Sequence, residues 1–436
     1  MKLTIVGGGG FRVPLVHAAL LADDLIDHVA LFDVDADRLA VIERVTAAQA
    51  SGRRPLRRTV HTDPAEALAD ADFVFSALRA GGTAARVIDE RVPASHGLIG
   101  QETVGAGGIA YALRSIPASL ELARLVARLA PQAWLINFTN PAGMVTEALS
   151  AVHPRVVGIC DSPVALARRA AAALGVDAVG PVADYVGLNH LGWLRGLLVE
   201  GVDRLPDLIA DPAALASFEE GRLFGPQVIG DLGALPNEYL HWFYFRREAG
   251  TGGGRGDFLA KQQDAFYRDC PTSPDAALAA WEAARAERER TYGEANRNAA
   301  GGFERDPLDL VSGGYEGVAL AIMRAIGRDE PARLILNTPN AGRLAELADD
   351  AVIEAPCSVD GRGVHPTPIA ALPDYAKGLV GTVKQVERWT IEAATTGSAR
   401  AARLALMHHP LVDSASLAGR LLTDYRAALP QLGYLR

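Results

Sequence analysis

The chain opens with a run that admits few folds. Residues 3–6 (Leu-Thr-Ile-Val) form a short apolar stretch, the pattern of a buried strand. Gly7, Gly8, Gly9 and Gly10 follow, then Phe11 and Arg12, and residues 13–22 read as a helix. A second strand over 29–32 ends in Asp33, 26 positions after Gly7. Strand, glycine turn, helix, strand and acid in this order predict a dinucleotide site. The turn lets a pyrophosphate approach the backbone at a helix N-terminus, and a carboxylate at the strand end reaches a ribose, which favours NAD over NADP. The spacing departs from G-x-G-x-x-G: counted from Gly7 the third position is Arg12, and counted from Gly8 it is Val13. A glycine turn in another α/β fold, with Asp33 as a helix cap, uses the same residues.

The alternation continues. Residues 73–77, 133–138 and 156–159 read as strands, and 63–69 and 120–129 as helices, which predicts a parallel sheet covered on both faces. After Tyr185 the alternation weakens. Residues 199–230 are broken by proline and glycine, 250–256 read as a flexible loop, and 275–299 as one long charged helix. Strand-like segments return at 332–336 and 352–355, then helices around 366–378, 380–397 and 398–408. The alanine-rich stretches 275–299 and 380–408 are expected to pack on each other or on a second subunit. At 436 residues the chain is long enough for two domains. The expected fold is α/β: a Rossmann-like NAD-binding domain over 1–185 and an α+β C-terminal catalytic, substrate and oligomerisation domain over 186–436, as in lactate and malate dehydrogenases.

A net charge of −9 argues against a nucleic-acid partner, which needs a basic face to displace counterions. It leaves anionic substrates open, because a local arginine cluster can oppose the global sign. Cys160, Cys270 and Cys357 are sparse and odd in number, which fits a reducing compartment. The N-terminus is already strand and no apolar run is long enough for a bilayer, so a cytoplasmic protein without a membrane partner is expected.

Ligands of open α/β sheets bind beyond the carboxyl ends of the strands. Residues 76–79, Asn137 to Pro141, and Cys160 with Asp161 fall there. Arg79 and Arg86 are seven apart, two helical turns, and a guanidinium pair on one face suits a phosphate or carboxylate. Residues 101–108 form a second glycine-rich loop, a lid or a connection, that opens a helix near Ile109. Cys160 and His190 each end an apolar run, and a thiolate with an imidazole suits a divalent metal. Their spacing matches neither C-x-x-C nor H-x-x-x-H, and a structural cysteine with a satisfied core histidine accounts for them too. The aromatic segment 235–245 holds Tyr239 and Tyr244, each a general base if a cation lowers its pKa, or part of a core stripe.

Together these segments resemble glycoside hydrolase family 4, the NAD- and divalent-metal-dependent glycosidases, and look most like its 6-phospho-β-glucosidase branch. The resemblance runs in order through the Gly7–Arg12 turn, Arg79-Ala-Gly-Gly, Ile99-Gly-Gln-Glu-Thr-Val-Gly, Asn137-Phe-Thr-Asn-Pro-Ala-Gly, Ile159-Cys-Asp-Ser-Pro, Gly187-Leu-Asn-His, Pro236-Asn-Glu-Tyr-Leu and Val352-Ile-Glu-Ala-Pro-Cys. It implies elimination rather than two-carboxylate hydrolysis. NAD⁺ takes hydride from C3 of a phosphorylated glucoside, a base removes the acidified C2 proton, the aglycone leaves C1, water adds, and the hydride returns. A metal, Mn²⁺ foremost, stabilises the charge on the C2 and C3 oxygens. Carried over by position, Cys160 and His190 hold the metal. Gly7, Gly8, Gly9, Gly10, Phe11, Arg12, Asp33 and Arg79 hold NAD. Tyr239 is the C2 base, with Tyr244 its rival in an uncertain register. Arg86, Asn140, Asn189 and Arg255 contact the sugar or its phosphate. The resemblance also implies a homodimer or homotetramer.

The chain departs from the family pattern at Gly10, where many relatives carry a small hydroxyl residue. It departs again at Asp161, where many β-specific relatives carry Asn; Asp161 then stands as an acid beside the metal, or as a sugar-hydroxyl contact. Other specificities therefore stay open: α-glucosidase, α-galactosidase and 6-phospho-α-glucosidase. So do an NAD-dependent hydroxy-acid dehydrogenase and a non-catalytic sugar-phosphate or NAD sensor.

Overall fold

Strand alternation builds two cores at once. In strand β1 (Lys2–Val6), Leu3 and Ile5 pack to one face with Phe73, Phe75, Ile136 and Val157. Val6 packs to the other with Val74 and Leu135. The only polar interior residue of this strand, Thr4, donates its hydroxyl to the Ala67 carbonyl at 2.6 Å. The computed structural model describes residues 1–176, 182–251, 254–305 and 314–436.

The further strands are β2 (His28–Phe32), β3 (Arg57–His61), β4 (Phe73–Ser76), β5 (Trp134–Asn137), β6 (Val156–Gly158), β7 (Val182–Leu188), β8 (Leu191–Val199), β9 (Val202–Asp203), β10 (Leu235–Pro236), β11 (Ala332–Pro339), β12 (Val352–Asp360) and β13 (Gly363–Pro366). They form one sheet in the order β10-β8-β7-β12-β11-β6-β5-β4-β1-β2-β3, with β9 beside β8 and β13 beside β12. From β3 to β6 every pairing is parallel. The order β3-β2-β1-β4-β5-β6 is that of a doubly wound dinucleotide fold. Beyond β6 every pairing is antiparallel. A third core, with Tyr185, Trp193, Leu194 and Ile353, lies under this half. The fold class is the expected one: a Rossmann-type half continued by an α+β half.

Several local expectations fail for identifiable reasons. The glycine-rich run 101–108 is not a loop throughout, because helix Gly105–Leu129 already begins at Gly105. A Cβ at Gly107 would stand 2.2 Å from the Gln101 carbonyl oxygen, so glycine here serves close packing rather than mobility. The charged helix over 275–299 is two helices, Pro274–Arg290 and Glu294–Ala299, separated where Gly293 takes φ +66°. Helices expected at 366–378 and 380–397 are one, Asp374–Thr396; Pro366, Pro368 and Pro373 exclude helix before it. The alanine-rich stretches do not pair: Pro274–Arg290 packs on Ala36–Ala50, and Asp374–Thr396 packs on Gly105–Leu129 and Ala399–His408. In the 250–256 loop, residues 252 and 253 lie outside the described residues, and a helix, Arg255–Asp269, begins within it. None of the described helices is long and apolar enough to cross a membrane.

The turn after β1 rests on helix Val13–Leu21, whose His17 is buried with Nδ1 2.8 Å from the Gln49 Oε1. Burial holds this imidazole down at about 4, against 6.5 when exposed. Between those values the unfolded chain binds a proton that the folded chain refuses, so stability is whole above 6.5 and falls as pH drops toward 4. The loss from His17 is at most about 3 kcal/mol. His17→Gln is expected to flatten the fall in urea-unfolding free energy between pH 6.5 and 4; a slope equal to the parent's removes His17 from the account.

Candidate active site

The glycine turn is clamped by its neighbours. Amides of Gly7 and Gly8 both donate to the Phe32 carbonyl, at 3.0 and 2.7 Å. Gly7 takes φ +84°, and a Cβ there would stand 2.7 Å from the Ala77 carbonyl oxygen. At Gly8 a Cβ would meet the Phe32 nitrogen at 2.7 Å. The turn is therefore pressed between the ends of β2 and β4. Asp33 accepts from the Gly9 amide at 3.0 Å and the Asp35 amide at 3.2 Å. From outside, Tyr267 donates to the Gly9 carbonyl (2.6 Å), the Trp281 indole to that of Phe11 (2.8 Å), and Tyr315 to that of Arg12 (3.1 Å). Helices of the C-terminal half thus hold the N-terminal turn in shape.

Gly7, Gly10, Phe11, Arg12 and Asp33 line a cavity of about 1080 Å³. Arg79, Arg86, Asn140, Cys160, Asp161, His190, Tyr239 and Arg255 line it too. Gly8 and Gly9 sit behind its wall. Asn189 turns the other way, donating to Glu354 Oε1 at 3.1 Å and lining a separate small recess with Gly143 and His409. Tyr244 stands outside the cavity, accepting from the Trp193 indole at 3.2 Å.

The arginines expected near a ligand are partly tied down. Glu102 bridges Arg79 and Arg86, each at 2.7 Å, and Arg86 also reaches Glu90 at 2.9 Å. Burial would raise the Glu102 carboxyl, but Arg79 and Arg86 pull it down to about 2. Glu90 in turn accepts from the Gly256 amide at 2.7 Å, which fixes the start of helix Arg255–Asp269. Arg255 donates only to oxygens without charge: the carbonyls of Thr291 (2.6 Å) and Arg288 (3.1 Å), and the Thr291 hydroxyl (3.2 Å). Burial, and next the nearby Arg86, lower its guanidinium to about 10.

Cys160 follows β6, with its sulfur 3.4 Å from the Ser162 hydroxyl. His190 sits at φ +62° in the turn between β7 and β8. Its ring lies flat on that of Tyr239, with centroids 3.6 Å apart. Burial holds the imidazole neutral, down to about 3, and pushes the Cys160 thiol up. His190 Nδ1 and Asn140 Oδ1 are buried with no hydrogen-bond partner among the described residues. A soft sulfur, a neutral imidazole and an orphaned lone pair in one cavity fit a divalent cation. No third His, Cys, Asp or Glu joins them in a metal-sized group among the described residues, so substrate oxygens or water would complete the shell. Burial raises the Asp161 carboxyl and Arg12 opposes it.

Other cavity residues escaped the sequence reading. The Tyr239 hydroxyl meets that of Tyr292 at 3.1 Å, and Tyr292 donates to Glu238 Oε1 at 3.1 Å. Arg288 and Glu289 enter from helix Pro274–Arg290. The one available signal was Gly293, a breaker that closes the charged run and turns Tyr292 inward.

Family models for a family 4 glycosyl hydrolase and for a family 4 glycosyl hydrolase C-terminal domain match residues 2–176 and 185–412. The chain belongs to glycosyl hydrolase family 4. A family relative, a probable 6-phospho-β-glucosidase of Bacillus subtilis, is 31% identical over 99% of this chain and 98% of its own. A 6-phospho-β-glucosidase of Thermotoga maritima, solved with manganese, NAD⁺ and glucose-6-phosphate, superposes with a TM-score of 0.79 at 26% identity over all of both chains. A 6-phospho-α-glucosidase from gut microorganisms, solved with NAD and Mn²⁺, gives a TM-score of 0.79 at 27% identity over 100% of this chain and 98% of that one. Both anomeric classes are thus present among the relatives of this family 4 chain.

Glu102→Gln is expected to leave Arg79 and Arg86 sharing a neutral amide, and to lower stability by about 1–3 kcal/mol. Urea unfolding measures it; an unchanged midpoint would show that the bridge adds nothing.

Proposed function

We propose that this family 4 glycosyl hydrolase is an NAD- and divalent-metal-dependent 6-phospho-β-glucosidase. The observation that carries the reading is one cavity joining the glycine turn to the Cys160–His190 donor pair. We take residues 1–185 as the dinucleotide half and 186–436 as the half that completes the substrate site. The β-linked sugar is supported by the Bacillus subtilis relative; the α-linked sugar is the second reading, supported by the structure from gut microorganisms.

When bound, the dinucleotide would supply reversible hydride transfer, and a metal of the Mn²⁺ class seen with relatives would supply charge stabilisation at the sugar oxygens. Cys160 and His190 hold the metal. Gly7, Gly10, Phe11, Arg12 and Asp33 shape the cofactor site, with Gly8, Gly9 and Arg79 behind or beside it. Tyr239 takes the C2 proton. Burial pushes its phenol well up, so a phenolate there needs an adjacent cation, and the His190 ring stacked on Tyr239 would hold one. Asp161, raised by burial, is the proton donor to the leaving aglycone. Asn140 has a buried oxygen free for a sugar hydroxyl. Arg255, bonded to no carboxylate, keeps its charge for the sugar phosphate, with Arg86 behind it.

Release of 4-nitrophenol from its 6-phospho-β-glucoside is expected to require both NAD⁺ and Mn²⁺, and Cys160→Ser to abolish it while NAD⁺ still binds. Release only from the α-linked phosphoglucoside replaces the anomer, and release without either addition overturns the mechanism. Tyr239→Phe is expected to slow exchange of the C2 proton with solvent deuterium by 10²-fold or more, on the order of general-base catalysis. Unchanged exchange would remove Tyr239 from that role.

A further inference from the structure

Helix Pro274–Arg290 brings three large side chains to the cavity side at positions 281, 285 and 288, the spacing of one helical face. Trp281 anchors that face, its indole bonded to the Phe11 carbonyl. Arg285 and Arg288 line the cavity beyond it. The Arg288 guanidinium lies 5.9 Å from the centre of the Phe11 ring, over the residues that follow the glycine turn.

Among the described residues the Arg288 guanidinium has no paired counter-ion. Among the described residues it makes no hydrogen bond and no ion pair, and its Nε is buried without a partner. Its strongest charged neighbours are Arg12, Arg86 and Arg255, and after burial itself they push its pKa well down. The carboxylates within reach are already shared. Glu289 pairs with Arg305 at 2.7 Å and reaches Arg12 at 3.9 Å. Glu102 bridges Arg79 and Arg86. A buried cation crowded by like charges is costly unless an anion arrives.

Two anions are to be placed if the proposed function holds, a sugar phosphate and a pyrophosphate. Arg255 faces the substrate side, its guanidinium 5.3 Å from the Tyr292 ring, which is bonded to Tyr239. Arg288 faces Phe11, and its charge is felt by Tyr267 and Tyr315, which hold the carbonyls of Gly9 and Arg12. Helix Val13–Leu21, which follows the glycine turn, carries no acidic residue in its first turn. We propose that Arg288 is the cation that closes over the cofactor pyrophosphate, opposite the amides of the glycine turn, so that the dinucleotide is gripped by both halves of the chain. This rests on the dinucleotide reading of the cavity.

The test is calorimetric titration of the metal-free, substrate-free protein with NAD⁺, ADP-ribose, adenosine and, separately, glucose-6-phosphate, for the parent, Arg288→Gln and Arg288→Lys. The Gln variant is expected to bind NAD⁺ and ADP-ribose roughly 10- to 100-fold more weakly, the scale of a charged hydrogen bond. Adenosine binding is expected to hold, and Lys to recover part of the loss. The melting temperature of the ligand-free Gln variant is expected to stay or rise, since a crowded charge is removed; a merely structural arginine would lower it. Unchanged NAD⁺ affinity, with glucose-6-phosphate weakened instead, would assign Arg288 to the sugar phosphate and overturn the proposal. A parent protein that binds no NAD⁺ would sink the dinucleotide reading itself, a result distinct from parent binding that Arg288→Gln leaves intact.

Discussion

The parallel and antiparallel halves of the one sheet meet beside the carboxylate of Glu354. Strand β6 is laddered to β11 through Gly158 and Asn337, and β12 to β7 through Glu354 and Gly187. Glu354 is fully buried at this seam and accepts from Asn337 (3.0 Å), Asn189 (3.1 Å) and Tyr185 (3.2 Å). Burial raises its carboxyl to about 7, against the pull of those three donors. The chain of bonds goes on from Tyr185 to Asn237 (3.4 Å), from Asn237 to Ser162 (2.9 Å) and from Ser162 to the Cys160 sulfur (3.4 Å). One end of this network touches Cys160 and the other ends at Asn189, next to His190. Residues from both halves of the chain are thus fixed by one polar network, whose members gain from each other only when all are paired.

The seam also explains two glycines. A Cβ at Gly158 would stand 2.2 Å from the Thr146 hydroxyl, and one at Gly187 would stand 2.2 Å from the Leu191 carbonyl oxygen. Neither approach tolerates a side chain: Gly158 lets Thr146 and, across the seam, Asn337 close in, and Gly187 lets the β7–β8 hairpin close. Above the seam the cavity gathers several arginines although the chain as a whole carries −9. Arg255 and Arg288 lack carboxylate partners while Glu102 and Glu289 are shared among other arginines. An arginine without a carboxylate partner in such a wall is a local place for an anionic ligand in an otherwise acidic molecule.

The parallel half was readable because its strands are buried on both faces and its turns are punctuated by glycine. Strand β3 was missed because Arg57, Arg58 and Thr59 read as polar, and an edge strand needs no apolar run. The β7–β8 hairpin was missed because its turn puts His190, a non-glycine residue, at positive φ, where sequence gives no turn signal. The same turn separates neighbours: His190 faces the cavity and Asn189 faces Glu354, a difference that spacing cannot encode. Tyr239 and Tyr244 lie one aromatic run apart, yet only the first reaches the cavity, because a 3-10 turn at Glu238–Leu240 resets the register before the helix His241–Tyr244. Arg288 was hidden in a helix whose composition reads as solvated charge.

Anomeric preference is hard to read for a chemical reason. In the proposed reaction hydride leaves C3 and a proton leaves C2, positions that α- and β-linked sugars share. Residues serving those atoms are therefore common to both classes, and so is the fold that places them. What differs is the direction of the aglycone oxygen at C1, and so the place from which a proton must be delivered. In this chain the carboxyl beside Cys160 is Asp161, raised by burial and restrained by Arg12. A neutral carboxyl is the right state for donating to a leaving oxygen. Asp161 stands at the N-cap position of helix Ser162–Ala173, and its side chain makes no capping hydrogen bond there. If Asp161 is the donor, as proposed, preference between anomers follows from which face of C1 this carboxyl meets, a property of one side chain's direction and not of the motifs that mark the family.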